Sequence, residues 1–196
     1  MTDDGYDAFM TAGVLAFHGD VAEHMEMLRA LHAGGKEIRS VEDLVSVTHL
    51  IIPGGESTVM SRFLDVTGVG KEIRRRVKDN SLAVYGTCAG AILVARKITG
   101  KNPPRALGLI DIAVDRNAYG TQAQSFAADL AVRGMKNRVS AAFIRAPVIT
   151  RAGKTVDVLA TNRGNPVLVR EGRVLAGTFH SEVRADLRVH ESFLKM

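Results

Sequence analysis

The sequence predicts one α/β domain with a mostly parallel central sheet flanked by helices. The chain has 196 residues, of which 46% are hydrophobic, and this fits one domain with a sizeable core. Short apolar runs alternate with stretches of helical periodicity through the first half, and no repeat or long linker divides the chain. Alternating strands and helices form parallel sheets covered on both faces, and ligands bind beyond the carboxyl ends of their strands.

The first half contains apolar strands that precede helical sequence. Residues 13–17 have the composition of a buried strand, and Val21, Met25 and Leu28 fall on one face of the helix that follows. A Pro-Gly-Gly sequence ends another strand at residue 52. In chain order, the predicted strands and helices of this half cover residues 13–17, 21–32, 36–41, 49–52, 57–64, 69–78, 82–86 and 89–97.

The second half changes to strands with few helices between them. Glu171 and Gly172 mark a tight turn between two of these strands. Residues 1–12 are polar and show no period, which predicts a disordered extension before a domain of residues 13–196. The predicted strands cover residues 109–114, 139–144, 156–161, 166–170 and 173–178, and a closing helix covers residues 185–196.

Charge and composition argue against nucleic acid and membranes as partners. The net charge is +5, but the densest basic run, residues 74–78, lies between Glu72 and Asp79 in helical sequence, which indicates a solvated helix face. Aromatic residues make up only 5% of the chain, so we expect no stacking platform for single-stranded nucleic acid. No apolar run approaches the roughly 18 residues of a membrane span, and the acidic start is unlike a signal peptide, so we expect a cytoplasmic protein.

The single cysteine lies in a sequence typical of a nucleophile elbow. Residues 86–90 read Gly-Thr-Cys-Ala-Gly between an apolar strand and a helix. The glycines relieve crowding at a sharp turn, while Cys88 projects at the helix N-terminus, where free N–H groups favour the thiolate. Taken alone, these five residues fit a small buried cysteine beside an ordinary turn equally well.

A thiolate nucleophile needs a proton carrier and a group that orients the carrier. Residues 179–182 read Phe-His-Ser-Glu after a predicted strand, and the two-residue spacing can send His180 and Glu182 to one side of an extended segment. His180 would move the proton, and Glu182 would hold its useful tautomer. Without Cys88, a surface His and Glu would be the simpler interpretation. The other histidines are interpreted as packing or surface residues: His18, His24, His32, His49 and His190.

Three motifs in this order resemble a known enzyme family. Pro-Gly-Gly-Glu-Ser at residues 53–57, the elbow at 86–90 and Phe-His-Ser-Glu at 179–182 look like the class I, or triad, glutamine amidotransferases, whose fold is flavodoxin-like. Within that group, residues 115–120 and 142–147 resemble the glutaminase subunits of ribose 5-phosphate-dependent pyridoxal 5′-phosphate synthases. The resemblance covers nearly the whole chain.

The resemblance implies roles for individual residues. The family's catalytic triad matches Cys88, His180 and Glu182. Family positions that hold glutamine match Gly55, Glu56, Ser57, Arg116, Ile144 and Arg145. Backbone N–H groups that form an oxyanion hole match Gly55 and Ala89. An arginine suits the α-carboxylate of an amino acid, whereas Glu56 could serve its ammonium group or order the loop.

The resemblance also implies a partner. Ammonia from glutamine would pass through a tunnel to a separate synthase subunit, within a large hetero-oligomer that uses ribose 5-phosphate and glyceraldehyde 3-phosphate. Pyridoxal 5′-phosphate would be the product of that assembly, so no cofactor is expected in this chain. The lone cysteine and scattered histidines have no recognised metal-site spacing.

Two departures from the family pattern leave alternatives open. His18 stands where the family usually has Gln, and Ser181 stands where it usually has Pro. Ser181 leaves the triad spacing unchanged, whereas His18 bears on how the glutaminase is activated. The alternatives are a glutaminase subunit of another pathway, such as histidine or purine biosynthesis, and a subunit without turnover that stabilises a partner. A nucleic-acid-binding module is the third.

Overall fold

The computed structural model of the protein describes residues 10–116 and 125–196. The helices within these ranges are α1 (Val21–Ala30), α2 (Val41–Leu44), α3 (Ser57–Val66), α4 (Val69–Lys78), α5 (Ala89–Val94), α6 (Arg188–Leu194) and a 3-10 helix (Glu182–Arg184). The strands are β1 (Ala12–Leu15), β2 (Lys36–Ile38), β3 (His49–Ile52), β4 (Ala83–Thr87), β5 (Ala95–Thr99), β6 (Ile110–Asp115), β7 (Phe126–Leu130), β8 (Val139–Phe143), β9 (Val148–Ala152), β10 (Asp157–Asn162), β11 (Asn165–Glu171) and β12 (Val174–Gly177). No helix in the described ranges has the length and hydropathy needed to cross a bilayer.

The central sheet has seven strands in the order β10-β11-β12-β4-β3-β1-β2. The strands β12, β4, β3, β1 and β2 pair in parallel, and β11 and β10 extend the sheet through antiparallel pairs. This confirms the predicted fold class, a mostly parallel sheet flanked by helices. The carboxyl ends of the parallel strands meet at one edge, where their loops can build a site.

Both faces of the central sheet are buried. Along β4, Val84 packs into one hydrophobic cluster with residues of α3, α4 and α5, whereas Ala83 and Tyr85 pack into a second cluster with residues of α1 and α6. Successive side chains of a strand point to opposite faces, so a strand covered on both sides needs apolar residues at consecutive positions. Burying each large aliphatic side chain stabilises the fold by roughly 1.5–3 kcal/mol.

Two smaller sheets accompany the central one. β5 and β9 flank β6 in a three-stranded sheet, and β7 pairs with β8 in an antiparallel hairpin. Ala142 of β8 exchanges two backbone hydrogen bonds with His180, with N–O distances of 2.8 and 3.0 Å. The hairpin is therefore attached to the chain segment that follows β12.

The predicted helix over residues 89–97 is wrong in its second half. α5 ends at Val94, and Ala95 is extended and begins β5. Ala95 is buried while Arg96 and Lys97 are exposed, and β5 pairs with β6, so tertiary pairing overrides the helical composition. Three further elements, α2, β7 and β9, are not predicted from the sequence. They are short, and the two strands mix apolar with charged residues.

The start of the domain differs slightly from the prediction. β1 begins at Ala12, which is fully buried, and Thr11 N–H donates to Thr48 Oγ1 at 3.1 Å. Met10 packs against the core. Residues 10–12 therefore belong to the folded domain and not to the predicted extension, because pairing with β3 continues to this point. Residues 1–9 lie outside the described part of the chain.

Candidate active site

Four chain segments meet beyond the carboxyl ends of the parallel strands. They are the loops that follow β1 and β3, the β4–α5 turn and the segment after β12. Together with the residues after β8 they enclose a cavity of about 560 Å³. The predicted site residues that line it are Gly55, Glu56, Ser57, Cys88, Ala89, Arg116, Ile144, Arg145 and His180.

Cys88 projects from the sharp turn between β4 and α5. Its backbone has φ 48° and ψ −102°, a sparsely populated conformation for a residue with a side chain. Cys88 N–H donates to the Gly177 carbonyl at 2.8 Å, and Gly90 N–H donates to the Pro53 carbonyl at 3.1 Å, so neighbouring strands hold the turn. A Cβ at Gly90 would lie 1.9 Å from the Ile52 carbonyl oxygen, which explains the glycine at this position.

His180 is held from several sides. Its Nδ1 lies 2.6 Å from Oε1 of Glu182 and 3.2 Å from Oδ2 of Asp20. Nδ1 therefore carries a hydrogen, and Nε2 is the ring nitrogen left to interact with Cys88. A Cβ at Gly54 would lie 2.4 Å from His180 Cε1, so the loop after β3 reaches the imidazole only because it has no side chain there.

Two carboxylates set the charge of His180. Burial acts to lower the pKa of His180, but hydrogen bonds to Asp20, Cys88 and Glu182 outweigh burial and raise the pKa to about 12. The hydrogen bond to His180 lowers the pKa of Asp20 against the opposing effect of burial. The site therefore favours the imidazolium form of His180 beside the candidate nucleophile.

Glu182 lies behind His180 and is 4% exposed. Its contact with His180 does not arise from the predicted extended segment. Ser181 has φ −82° and ψ −30°, and Glu182 begins the 3-10 helix, so a helical turn brings the two side chains together. A buried carboxylate at 2.6 Å fixes the orientation and the tautomer of the imidazole.

Glu56 caps α3 and orders the loop before it. Its Oε1 accepts Thr58 N–H at 3.0 Å, its Oε2 accepts Val59 N–H at 2.7 Å, and its own N–H donates to Nδ1 of His18 at 3.2 Å. Burial acts to raise the pKa of Glu56, but the two N–H groups and Arg116 lower it overall. Of the two roles predicted for this carboxylate, these contacts support loop ordering.

Two arginines line the cavity with different restraint. Arg116 has a side chain that is 19% exposed, donates to a hydroxyl and a carbonyl of neighbouring segments, and lies 4.0 Å from Oε1 of Glu56. Arg145 is exposed, has φ 47°, and makes no hydrogen bond or ion pair with any residue that the structure describes. It directly follows Ile144, whose carbonyl oxygen lies 3.9 Å from Sγ of Cys88. Arg145 is therefore the more available cation beside the cysteine.

Five residues of the cavity wall are absent from the predicted site: His18, Asp20, Ile92, Ala146 and Val183. Asp20 contacts His180. His18 is exposed, in agreement with its interpretation as a surface residue, and it also accepts a hydrogen bond from the N–H of Glu56 at the cavity wall. Asp20 and His18 both follow β1, and this position beyond the carboxyl end of a parallel strand is the signal that could have identified them. The predicted motif at residues 115–120 extends into residues 117–124, which lie outside the described ranges.

One group of three potential metal ligands occurs among the described residues. The ligand atoms of Asp20, His180 and Glu182 lie within 4.8 Å of one another. Both carboxylates are within hydrogen-bond distance of Nδ1 of His180, and that nitrogen carries a hydrogen. We therefore interpret the group as a hydrogen-bonded cluster, in which no lone pair of Nδ1 is available to a metal.

Comparisons with known proteins place the chain in a family. The model of the SNO glutamine amidotransferase family matches residues 14–196. A protein of Thermus thermophilus named pyridoxal 5′-phosphate synthase subunit PdxT is 48% identical over 94% of this chain and 96% of its own length. A protein of the same name from Deinococcus radiodurans is 46% identical, with 94% of this chain and 96% of the relative covered.

Solved structures agree with this assignment. A crystal structure described as a glutamine amidotransferase superposes with a TM-score of 0.90 at 47% identity, covering 94% of this chain and 97% of the other. A chain in the structure of PurLQS from Thermotoga maritima, at 16% identity and a TM-score of 0.66, shares the fold, and the match covers 95% of this chain and 98% of the other. The chain belongs to the SNO glutamine amidotransferase family.

Proposed function

We propose that this chain is the glutaminase subunit of a pyridoxal 5′-phosphate synthase and hydrolyses glutamine to glutamate and ammonia through Cys88, His180 and Glu182. The observation that carries the proposal is the hydrogen bond between His180 and Glu182 beside Cys88 at the wall of a cavity. Family membership and the relatives named as synthase subunits support it.

The first half of the reaction forms a thioester. Sγ of Cys88 attacks the side-chain carbonyl carbon of glutamine, and the carbonyl electron pair moves to oxygen. The N–H groups of Gly55 and Ala89 are the proposed donors to this oxyanion; Ala89 begins α5, so its N–H has no acceptor within the helix. The carbonyl then reforms, the C–N bond breaks, and His180 gives its Nε2 proton to the leaving nitrogen, which departs as ammonia.

The second half hydrolyses the thioester. His180, now neutral at Nε2, takes a proton from water as the water oxygen attacks the thioester carbon. The resulting oxyanion uses the same backbone donors, and its collapse breaks the C–S bond. Glutamate leaves, and Cys88 returns as a thiolate beside the imidazolium. Glu182 keeps the hydrogen on Nδ1 throughout, so Nε2 always faces the reacting atoms.

The rest of the cavity positions the substrate. The guanidinium of Arg145 is proposed to pair with the α-carboxylate of glutamine, because it has no competing partner among the described residues. Arg116 lies 4.0 Å from the carboxylate of Glu56 and so supports the loop that Glu56 orders. Gly55, Ser57 and Ile144 complete the walls.

The proposed partner is a synthase subunit that receives the ammonia. Free ammonia is protonated and lost in water, so direct transfer within one hetero-oligomer protects it. We assign the chain to the cytoplasm, without nucleic acid or membrane as a partner. The relatives that bear the synthase name are 42–48% identical over nearly the whole chain, and this favours that pathway over histidine or purine biosynthesis.

The test measures ammonia release from glutamine with and without a pyridoxal 5′-phosphate synthase subunit from the same source. We expect release that increases with the synthase subunit, and a loss of roughly 10³-fold or more in Cys88→Ala, the scale expected when a nucleophile is removed. Ser61→Ala is the matched control, because Ser61 is a small buried residue that bonds the Arg105 carbonyl away from the cavity. Wild-type chain that releases no ammonia under either condition would overturn the proposal.

A further inference from the structure

Two buried histidines lie beneath the proposed catalytic residues and take no part in the reaction described above. His24 is on α1 and His190 is on α6, and both are fully buried. Nδ1 of His24 lies 2.8 Å from Nε2 of His190, so the two rings share one hydrogen bond across 166 residues of sequence. The interpretation of both as packing residues describes their burial but not this contact.

The other nitrogen of His24 faces the catalytic residues. Nε2 of His24 lies 3.1 Å from Oγ1 of Thr87, which precedes Cys88 in the chain, and 3.7 Å from Oε1 of Glu182. The same Glu182 oxygen accepts the hydrogen of His180 Nδ1. His24 therefore contacts the elbow on one side and the orienting carboxylate on the other.

Both buried rings are neutral. Burial lowers the pKa of His24 well below its usual value, and His190 and His180 lower it further. Burial also lowers the pKa of His190, to about 4, although Asp186 acts in the opposite direction. Each neutral ring has one N–H and one lone pair, so the shared hydrogen bond permits two arrangements.

The two arrangements differ in what faces Glu182. If His24 donates from Nδ1, its Nε2 lone pair points at the carboxylate, and His190 is left with an Nδ1–H that has no acceptor among the described residues. If His190 donates from Nε2, His24 carries its hydrogen on Nε2, beside Thr87 and Glu182. The second arrangement is favoured, because it avoids lone-pair repulsion and leaves only an acceptor unpaired, which costs less than an orphaned donor.

We propose that His190 and His24 act as positioning residues: His190 donates from Nε2 to His24, and this fixes the Nε2–H of His24 toward Thr87 and the Glu182 carboxylate. The carboxylate is thereby held in the orientation that it needs to hold His180. The ring of Tyr85 packs edge-on against His190, with centroids 5.6 Å apart, and limits rotation of that ring. The catalytic consequence rests on the proposed glutaminase function, whereas the tautomer assignment does not.

The first test is the tautomeric state of the two rings in the wild-type chain. Long-range ¹H–¹⁵N correlation of histidine-labelled protein at neutral pH separates protonated from bare ring nitrogens. We expect both His24 and His190 to carry hydrogen on Nε2 and to have bare Nδ1 nitrogens. A hydrogen on Nδ1 of His24 would overturn the proposal, whatever the activity of the chain.

The second test compares His24→Met with His24→Gln in the presence of the synthase subunit. Met fills similar space without a donor, whereas Gln keeps an N–H near the end of the side chain. We expect His24→Met to lower kcat about 10-fold with KM nearly unchanged, the scale of one lost hydrogen bond, and His24→Gln to recover most of the loss.

His49→Met is the matched control. His49 is also buried and packs on Phe193, but it bonds Thr48 and the carbonyl of Met196, at the opposite end of the strands from the cavity. We expect this variant to lose thermal stability and to keep kcat. Equal kcat for the folded fractions of His24→Met, His24→Gln and wild type would show that His24 only packs. An inactive wild type would instead contradict the proposed function, and the tautomer test would still stand.

Discussion

The two parts of the cavity wall contrast in how firmly their charged side chains are held. His180 and Glu182 are nearly inaccessible and are joined at 2.6 Å, and a second carboxylate, Asp20, reaches the same imidazole nitrogen. Arg145, in contrast, is exposed, and among the described residues nothing bonds its guanidinium. The groups proposed to move protons are fixed before substrate arrives, whereas the group proposed to bind a carboxylate is left for the ligand to complete.

This difference has a physical reason. A proton carrier must stay within hydrogen-bond distance of the reacting atoms, and preorganised polar groups need no reorganisation during the reaction. A guanidinium that already had a carboxylate partner would lose that partner on binding, which would offset the gain. We call Asp20, His180 and Glu182 the held end of the cavity and Arg145 the open end. We therefore expect substitutions at the held end to lower kcat and substitutions at the open end to raise KM.

The largest expected effect is that of Glu182→Gln at the held end. The amide keeps the size but removes the charge that stabilises the His180 imidazolium, so we expect kcat to fall roughly 10²-fold, the lower end of the contribution of acid–base catalysis. Asp20 remains 3.2 Å from the same nitrogen and limits the loss. Steady-state ammonia release with the synthase subunit measures the effect.

Glu191→Gln controls for this substitution. Glu191 pairs with Lys195 on the surface of α6, so its variant should match wild type in kcat. If Glu182→Gln kept more than half of the wild-type kcat while its thermal unfolding was unchanged, the orienting role of Glu182 would be wrong.

An intermediate effect is expected for Arg145→Ala at the open end. Loss of one charged hydrogen-bonded contact to the α-carboxylate should raise KM about 10- to 100-fold and leave kcat within a few fold. The KM of Arg145→Lys should lie between those of wild type and Arg145→Ala, because lysine keeps the charge but lacks the planar set of donors of arginine.

Arg163→Ala is the control for Arg145, because Arg163 is also an exposed arginine with a positive φ, 50°, and it packs on Phe126 outside the cavity. A fall in kcat at constant KM for Arg145→Ala would contradict the division between the two ends.

The smallest effect is expected for Asp20→Asn, and it depends on pH. The pKa of His180 is raised to about 12, so its imidazolium is lost only as pH rises toward that value. Removing the Asp20 charge lowers the pKa of His180 and should move the alkaline limb of Cys88 alkylation by iodoacetamide to lower pH by about 1 unit. Cys88 is the only cysteine in the chain, so this rate reports one site.

The same ion pair affects stability with a defined sign. A raised His180 pKa contributes stability below the ordinary value of 6.5, and this stability is lost as pH rises toward about 12. Because the pKa of Asp20 is lowered, its carboxylate contributes stability above the ordinary pKa of 3.8. This stability is lost as pH falls through the lowered pKa. The difference in unfolding free energy between wild type and Asp20→Asn should therefore be greatest between these two ordinary values. For Asp65→Asn, a surface substitution beside Arg105, the difference in unfolding free energy from wild type should have no maximum in this pH range.

The sequence predicts the parts of the fold and site that local patterns encode. The parallel strands β1, β3, β4 and β12 have consecutive apolar residues, and the elbow at Cys88 has glycines whose replacement would bring atoms within 3 Å. The predicted helix at residues 89–97 is wrong in its second half, because those residues form β5 and pair with β6. Asp20 carries no motif of its own, since its role depends on where α1 begins relative to His180.

The His24–His190 contact shows the same limit at longer range. Its members lie 166 residues apart, and each in isolation looks like a core residue of an amphipathic helix. Only the packing of α1 and α6 on the same face of the sheet brings the two rings together. Patterns of spacing describe neighbours along an element, whereas this contact requires two elements to be placed in space.

The backbone bridge between Ala142 and His180 bears on substrate length. β8 ends at Phe143, directly before Ile144 and Arg145, so the same strand that pairs with the proposed proton carrier also places the proposed carboxylate-binding group. The distance between the two is then set by main-chain geometry and not by flexible side chains alone. Asparagine is one methylene shorter than glutamine, so we expect it to reach Arg145 and Cys88 together less well than glutamine does. The bridge is therefore expected to favour the five-carbon amide glutamine over its four-carbon homologue asparagine.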